Sequence, residues 1–375
     1  MRNTVLEVSR DAFLKNYESI KKYIDNKYND ELSFMPIVKS TSVPTETILF
    51  NIGAFEDCNY LETITLPFIG ASYEDTNISW FGYIFGAGSY EANNTYVPES
   101  LKEVTIHEGI EEIGNGAFYG LQNIKRVNLP STIKYIKTTS FTNTTFDYEL
   151  KNQVSVNFLG HLGTGIKGRL DVVVESDFVN LFEYQNLETI IISNNVTDLD
   201  VGNAQIKNIY LTESLMTLFM AGDETINLYY PNSIENWCNL DITNWGKRYS
   251  LYLLDQNNQW YEPKEIVVPN SVKEIKQGTF TGMINLEKVS LHNEVTKIGG
   301  AAFARCQSLH TVSLSENLVE IGESAFAYSA IKHIVIYDKV TTIGESLFEH
   351  CIELETAVIK GNITLIPYRT FYYWL

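Results

Sequence analysis

Residues 286–351 read LEKVSLHNEVTKIGGAAFARC, QSLHTVSLSENLVEIGESAFAYS and AIKHIVIYDKVTTIGESLFEHC, one phrase written three times with small edits. The phenylalanines that anchor it, Phe280, Phe303, Phe326, Phe348 and Phe371, recur at a nearly constant interval, the signature of a solenoid. Within a unit, Val289 and Leu291 alternate with Lys288 and Ser290, the period-two pattern of a half-buried strand. Val295 and Ile298 then turn the chain back. One such unit cannot bury its apolar side alone. Stacked neighbours cover one another, so stability is close to a sum of nearest-neighbour terms along one axis.

Ala302, Phe303 and Cys306 recur as small, large and small side chains, which is how a coil interior is filled. The repeated form L..I.L(P)..V..IG..AF..C resembles the BspA-like (treponemal-type) leucine-rich repeat. That resemblance implies a mainly β leucine-rich-repeat solenoid, an array of coils of about 22–23 residues each. A strand ladder would line one side of it. The resemblance also implies a surface or secreted protein that binds other macromolecules. The family's recurring positions pack the interior, so the resemblance implies no catalytic residue and no cofactor.

The chain has 375 residues with 28 Lys plus Arg against 46 Asp plus Glu, a net charge of −18 that opposes nucleic-acid binding and favours cationic partners. No apolar run approaches the roughly 18 residues of a membrane helix. Three of the four cysteines, Cys58, Cys306 and Cys351, follow an anchoring Phe by three positions. Leu121, Thr144, Met283 and Ser329 occupy the same slot elsewhere, so it is a packing slot and not a redox or metal motif. Cys306 and Cys351 are two coils apart, too far to bridge.

The opening residues have no positively charged lead followed by a continuous apolar core, so no signal peptide is expected in them. Residues 3–39 do not fit the repeat. TVLEV reads as a strand, Asp11 as a helix cap before AFLKNYESIKKYI, and FMPIV as a strand ending at Lys39. Thr4, Glu7, Asp11, Ala12, Asn16, Ile37, Val38 and Lys39 are similar in order and spacing to the amino-terminal end of alanine racemases. The resemblance implies that Lys39 would be the pyridoxal-phosphate lysine. The tyrosine and glycine that follow that lysine in the family are missing, since Ser40, Thr41, Ser42 and Val43 stand there. A Schiff-base lysine also needs a phosphate cup and a second acid/base, which a tenth of a barrel cannot supply.

The expected organisation is therefore an amino-terminal strand-helix-strand segment, 1–43, and a solenoid, 44–375. Residues 67–98, rich in Gly, Asn and aromatics, are expected to be an inserted loop packed on the array. Its Gly82, Gly86 and Gly88 follow no nucleotide-binding pattern. Clean coils carry Phe118 and Phe141, and 145–264 reads as degenerate coils whose turns have changed length. Ser233 with Glu235 marks a helix start there, with Trp237 and Cys238 in the core. The last coil, ITLIPYRTFYYWL, has no polar cap, so the chain reads as cut short.

No two of the six histidines have the spacing of a helical metal pair, and no nucleophile elbow or triad motif is present. Sequons stand at Asn77, Asn93, Asn143, Asn195 and Asn362. The expected function is non-catalytic: binding of a protein or glycan through the strand face, in surface or host interaction and adhesion. A fragment or fusion of a pyridoxal-phosphate racemase and a structural spacer are the alternatives. Strand alternation points Thr63, Thr65, Glu103, Thr105, Arg126, Asn128, Lys288, Ser290, Thr311 and Ser313 outward. In the degenerate middle the same register exposes Ile191, Tyr210 and Tyr229, residue types enriched at binding hot spots. The expected site is a patch centred on the two tyrosines, with the clean outward row as its rim and inserted loops as the alternative cover.

Overall fold

The computed structural model describes residues 38–373 except 74, 76, 138, 153, 157–161, 163–165, 168–170, 175–177, 182–186 and 361. Of the amino-terminal segment expected at 1–43, residues 1–37 lie outside the described residues. The chain divides into two units, Met1–Leu170 and Asp171–Leu375, each a β-solenoid of stacked coils.

In the first unit one row of parallel strands runs through Ser40–Ser42, Thr63–Leu66, Glu103–Ile106, Arg126–Asn128, Asp147–Glu149 and Ile166–Lys167. Ile64, Val104, Val127 and Tyr148 are partners in register and all face inward, at most 3% exposed. Among the described residues the ladder thus starts at Ser40, inside the segment assigned from sequence to the amino-terminal unit. A second row holds Glu112–Ile113, Tyr135–Ile136 and Val154–Val156.

The segment expected to be an inserted loop at 67–98 is built into this stack. Its 3-10 turn Phe81–Phe85 carries two aromatic anchors. Phe85 lies 6.1 Å from Phe55, and Phe81 stacks on Phe118 at 5.6 Å, ahead of Phe141 at 5.4 Å. The backbone follows: Phe55 donates to Ile84 at 2.6 Å and Phe81 to Ala117 at 2.8 Å. Phe118 donates to Ser140 in the same way, at 2.7 Å. Residues 67–98 therefore supply a coil with an extended return, and the aromatic-rich composition that hid the repeat is that coil's core.

The second unit has two pairs of rows. In the first pair, Thr189–Ile192, Asn208–Tyr210, Thr225–Tyr230 and Arg248–Leu254 follow Asp171–Val174 in parallel order, and antiparallel Trp260–Tyr261 closes the edge. Its second row is Phe178–Asn180, Asp198–Gly202, Thr217–Ala221 and Asp241–Trp245. The inward partners Ile190, Ile209 and Leu228 recur at a shorter interval than the clean coils keep, and Leu251 then follows at the full one. Shortened turns explain the lost period. Ser233 caps the helix Ile234–Asn239, accepting from the Asn236 N–H at 3.3 Å, and the helix buries Trp237 and Cys238. The Trp237 indole donates to the Thr279 carbonyl at 3.0 Å, so Trp237 leads into the clean phenylalanine stack.

The second pair runs through Glu265–Val267, Lys288–Ser290, Thr311–Ser313, His333–Ile336 and Thr356–Ile359, facing the two-residue strands Glu274–Ile275, Lys297–Ile298, Glu320–Ile321 and Thr342–Ile343. Phe280, Phe303, Phe326, Phe348 and Phe371 stack at 5.3, 5.5, 5.8 and 5.6 Å. The Cys306 thiol caps the Phe280 carbonyl at 3.1 Å and Cys351 caps Phe326 at 3.0 Å. Burial pushes the Cys306 thiol up to about 12, which keeps it protonated and inert. All four cysteines are free.

Two positions to either side of the anchor, the backbone is left-handed: Ala301 and Arg305 flank Phe303, Ser324 and Tyr328 flank Phe326. There the N–H groups of Ala301, Phe303 and Arg305 all donate along the stack axis, to Glu323, Ala325 and Ala327 at 2.7–2.8 Å. The glycine of the Ile-Gly pair has a different reason. A Cβ on Gly322 would fall within contact distance of the Gly299–Gly300 backbone of the preceding coil. Gly322→Ala should therefore wedge two coils apart and cost about 1–3 kcal/mol as overpacking. Gly300→Ala, with its nearest neighbour at 3.4 Å, should cost less than about 1 kcal/mol. Urea unfolding of both variants checks this, and equal losses would refute the close-approach explanation.

Candidate binding face

The outward residues named from sequence fall on three sheets. In the first unit, Thr63 pairs with Glu103 and Thr65 with Thr105, then Glu103 with Arg126 and Thr105 with Asn128. Asn128 donates to Glu103 at 2.7 Å and to the Thr105 hydroxyl at 2.9 Å, so this rung is a self-satisfied polar ladder. In the clean coils Lys288 pairs with Thr311 and Ser290 with Ser313, and Lys288 reaches Glu265 at 3.2 Å. The expected rim around the tyrosines is not there. The sheet that carries the tyrosines ends at the antiparallel Trp260–Tyr261, and the sheet of Lys288 begins anew at Glu265. A repeat period cannot encode that break, because the return strand runs against the coil direction.

Ile191, Tyr210 and Tyr229 do come together, in one outward row of partners that Tyr252 extends. Tyr210 and Tyr229 stack at 4.3 Å with planes 11° apart, and Tyr229 and Tyr252 at 4.7 Å and 14°. After Leu254 the chain turns on Asp255, whose carboxylate accepts from the N–H groups of Asn257 and Gln259 at 2.8 Å. The return brings Trp260 edge-on to Tyr229 at 5.3 Å and to Tyr210 at 5.8 Å. The tyrosines are half-buried, and Trp260, 37% exposed, is the cover over them. Burial, then the neighbouring phenols, push Tyr229 above its ordinary value, so it stays a hydroxyl donor.

Beside the tyrosines runs a second row of partners, half-buried Asn208 and Asn227 between buried Thr189 and Ser250. Asn227 donates to Asn208 at 2.9 Å, Asn208 to Thr189 at 3.3 Å, and Asn285 to Ser250 at 3.0 Å and Glu262 at 2.7 Å. An aromatic ridge thus lies against an amide ridge, each rung one strand spacing from the next. Sequence reasoning missed Tyr252, although Leu251 and Leu253 on either side of it mark it as outward. It also missed Trp260, for which no signal existed.

Lys39 is exposed and forms an ion pair with Glu62 at 2.6 Å, while its carbonyl accepts from Glu62 and Thr63. That is the environment of a surface lysine beside the first described strand of the ladder, and it lends the racemase alternative no support. Among the described residues no group of three or more His, Cys, Asp and Glu side chains is placed to hold a metal ion, and no helix is long and apolar enough to cross a membrane.

Residues 92–157 and 258–374 match the model of the BspA type leucine rich repeat region, in six copies. The chain carries BspA-type leucine-rich repeats. Three solved structures are similar to this leucine-rich repeat protein. A leucine rich cell surface protein from Faecalibacterium prausnitzii is 18% identical, with 87% of this chain and 88% of that one covered and a TM-score of 0.36. A leucine-rich repeat protein from Bacteroides ovatus is 17% identical over 85% and 86%, with a TM-score of 0.38. The pneumococcal vaccine antigen PcpA is 15% identical over 70% and 73%, with a TM-score of 0.36. No curated protein matches the chain.

Proposed function

We propose that this leucine-rich repeat protein is a non-catalytic binding module that engages a protein or glycan through the tyrosine face at 189–261, at a cell surface or outside the cell. The observation that carries the reading is the half-exposed stack of Tyr210, Tyr229 and Tyr252, with Trp260 across it and the asparagine row beside it. The outward rungs from Thr63 to Asn128 and from Lys288 to Ser313 are mostly small, polar or charge-paired and suit water. Here stiff amphipathic rings offer contact area at low entropic cost, and the amides offer directional hydrogen bonds.

The stack also sets what substitution there should do. Tyr210→Ser with Tyr229→Ser breaks two ring-on-ring contacts and should cost about 1–3 kcal/mol. Trp260→Ala, at the edge, should cost under about 1 kcal/mol and is the cleaner probe. Retention is measured on immobilised polysaccharides and extracellular-matrix proteins. Trp260→Ala should lose whatever wild type retains, at nearly unchanged melting. Retention equal to wild type would refute the assignment of this face.

A further inference from the structure

The same coils carry a second outward face, on the row Phe178–Asn180, Asp198–Gly202, Thr217–Ala221 and Asp241–Trp245. Trp245 leaves 73% of its surface in water and meets Phe219 edge-on at 5.1 Å. Asp200 is the register partner of Phe219, Asp198 of Thr217, and Thr217 of Asp241. Burial alternates along each strand, so these side chains share the outward side.

The electrostatics of this face differ from those of the clean coils. There the equivalent row places Lys297 between Glu274 at 3.5 Å and Glu320 at 3.6 Å, and the charges cancel. Here Asp198 accepts from the Thr197 hydroxyl at 2.7 Å and Asp200 from Asn180 at 3.2 Å, with no cationic partner for either among the described residues. The second oxygen of Asp200 is buried and has no hydrogen-bond partner. Lys276 serves Asp241 at 2.7 Å and the Asn239 carbonyl at 2.8 Å. Arg305, beside Gly246, is engaged over the Tyr328 ring at 5.0 Å. Phe219 thus lies beside Asp200, its register partner, and no described cation neutralises Asp200 or Asp198.

We propose that this face binds a basic segment of a partner protein, with a Lys or Arg side chain resting on Trp245 and Phe219 and its neighbouring cation meeting Asp198 and Asp200. The charge is complementary: the chain carries −18 overall. An aromatic face attracts a cation through its quadrupole. An extended segment presents alternate side chains about 6.6–6.8 Å apart on one side, between the separations of about 4.8 Å and about 9.6 Å that one and two strand steps give. This surface is separate from the tyrosine face and does not rest on its assignment.

The test is fluorescence anisotropy with a labelled octapeptide of alternating lysine and serine, against its glutamate counterpart, at low and high salt. The lysine peptide should bind and the glutamate peptide should not. Trp245→Ala should weaken binding by roughly fivefold to thirtyfold at unchanged melting temperature. Trp245→Phe should restore most of it. Asp198→Asn with Asp200→Asn should weaken binding and flatten its salt dependence, while Trp260→Ala should leave it unchanged. No binding of the lysine peptide would overturn the proposal. So would binding that ignores Trp245→Ala and the Asp pair, since that is attraction to net charge alone.

Discussion

Phe303→Ala is expected to lower the free energy of unfolding by about 3–5 kcal/mol, and Phe371→Ala by far less. Phe303 is fully buried, with Phe280 at 5.3 Å on one side and Phe326 at 5.5 Å on the other. Removing the ring leaves a cavity that both neighbours line and that neither can fill, because their backbones are held by hydrogen bonds along the stack. Phe371 stacks on Phe348 at 5.6 Å but stays partly exposed, so less apolar surface is lost and water can enter the gap. Denaturant melts of the two variants decide the matter. Equal losses would contradict a stack held by nearest-neighbour contacts.

The second large effect is expected at Asn93, which sequence marks as a sequon and the structure places at 0% exposure. Its side-chain oxygen accepts from the Gly82 N–H at 2.8 Å, and its amide donates to the carbonyls of Gly116 at 3.0 Å, Ala117 at 3.4 Å and Tyr119 at 3.3 Å. One side chain thus ties the 3-10 turn to the coil of Phe118. Asn93→Ala leaves these groups buried without that partner and should cost about 2–4 kcal/mol. Asn93→Asp keeps the acceptor but sets a carboxylate against the carbonyls, so it should be at least as damaging. Thermal melts check both; a loss below about 1 kcal/mol would show that Asn93 is not the tie.

The array was legible because its cause is periodic. Val289, Val295, Ile298 and Phe303 repeat at a spacing that only stacked coils can satisfy, and the slot that accepts Cys306, Thr144 and Ser329 shows itself as packing by its tolerance. Trp237 and Cys238 were legible as core for the same reason, apolar residues on one side of a capped helix. The aromatic coil at 67–98 was not, since its two anchors, Phe81 and Phe85, are displaced from the period by lengthened connections.

What the sequence by itself determined is the coil: its length, its inward residues, and the alternation that turns Tyr210 and Tyr229 outward. Those follow from local rules, alternation within the strand and a fixed repeat along the chain. What only the tertiary structure decided is which outward residues meet. Tyr252 joins the tyrosine stack because coils of unequal length still align their strands. Trp260 covers that stack because one strand turns back antiparallel, and the same strand cuts the tyrosine sheet from the row of Lys288. Trp245 reaches Phe219 diagonally across two paired strands, its own register partner being Ala221. Lateral neighbours on a solenoid are set by turn length and strand direction, which hydrophobic pattern does not constrain, because a turn of any length can deliver the same inward residues to the core.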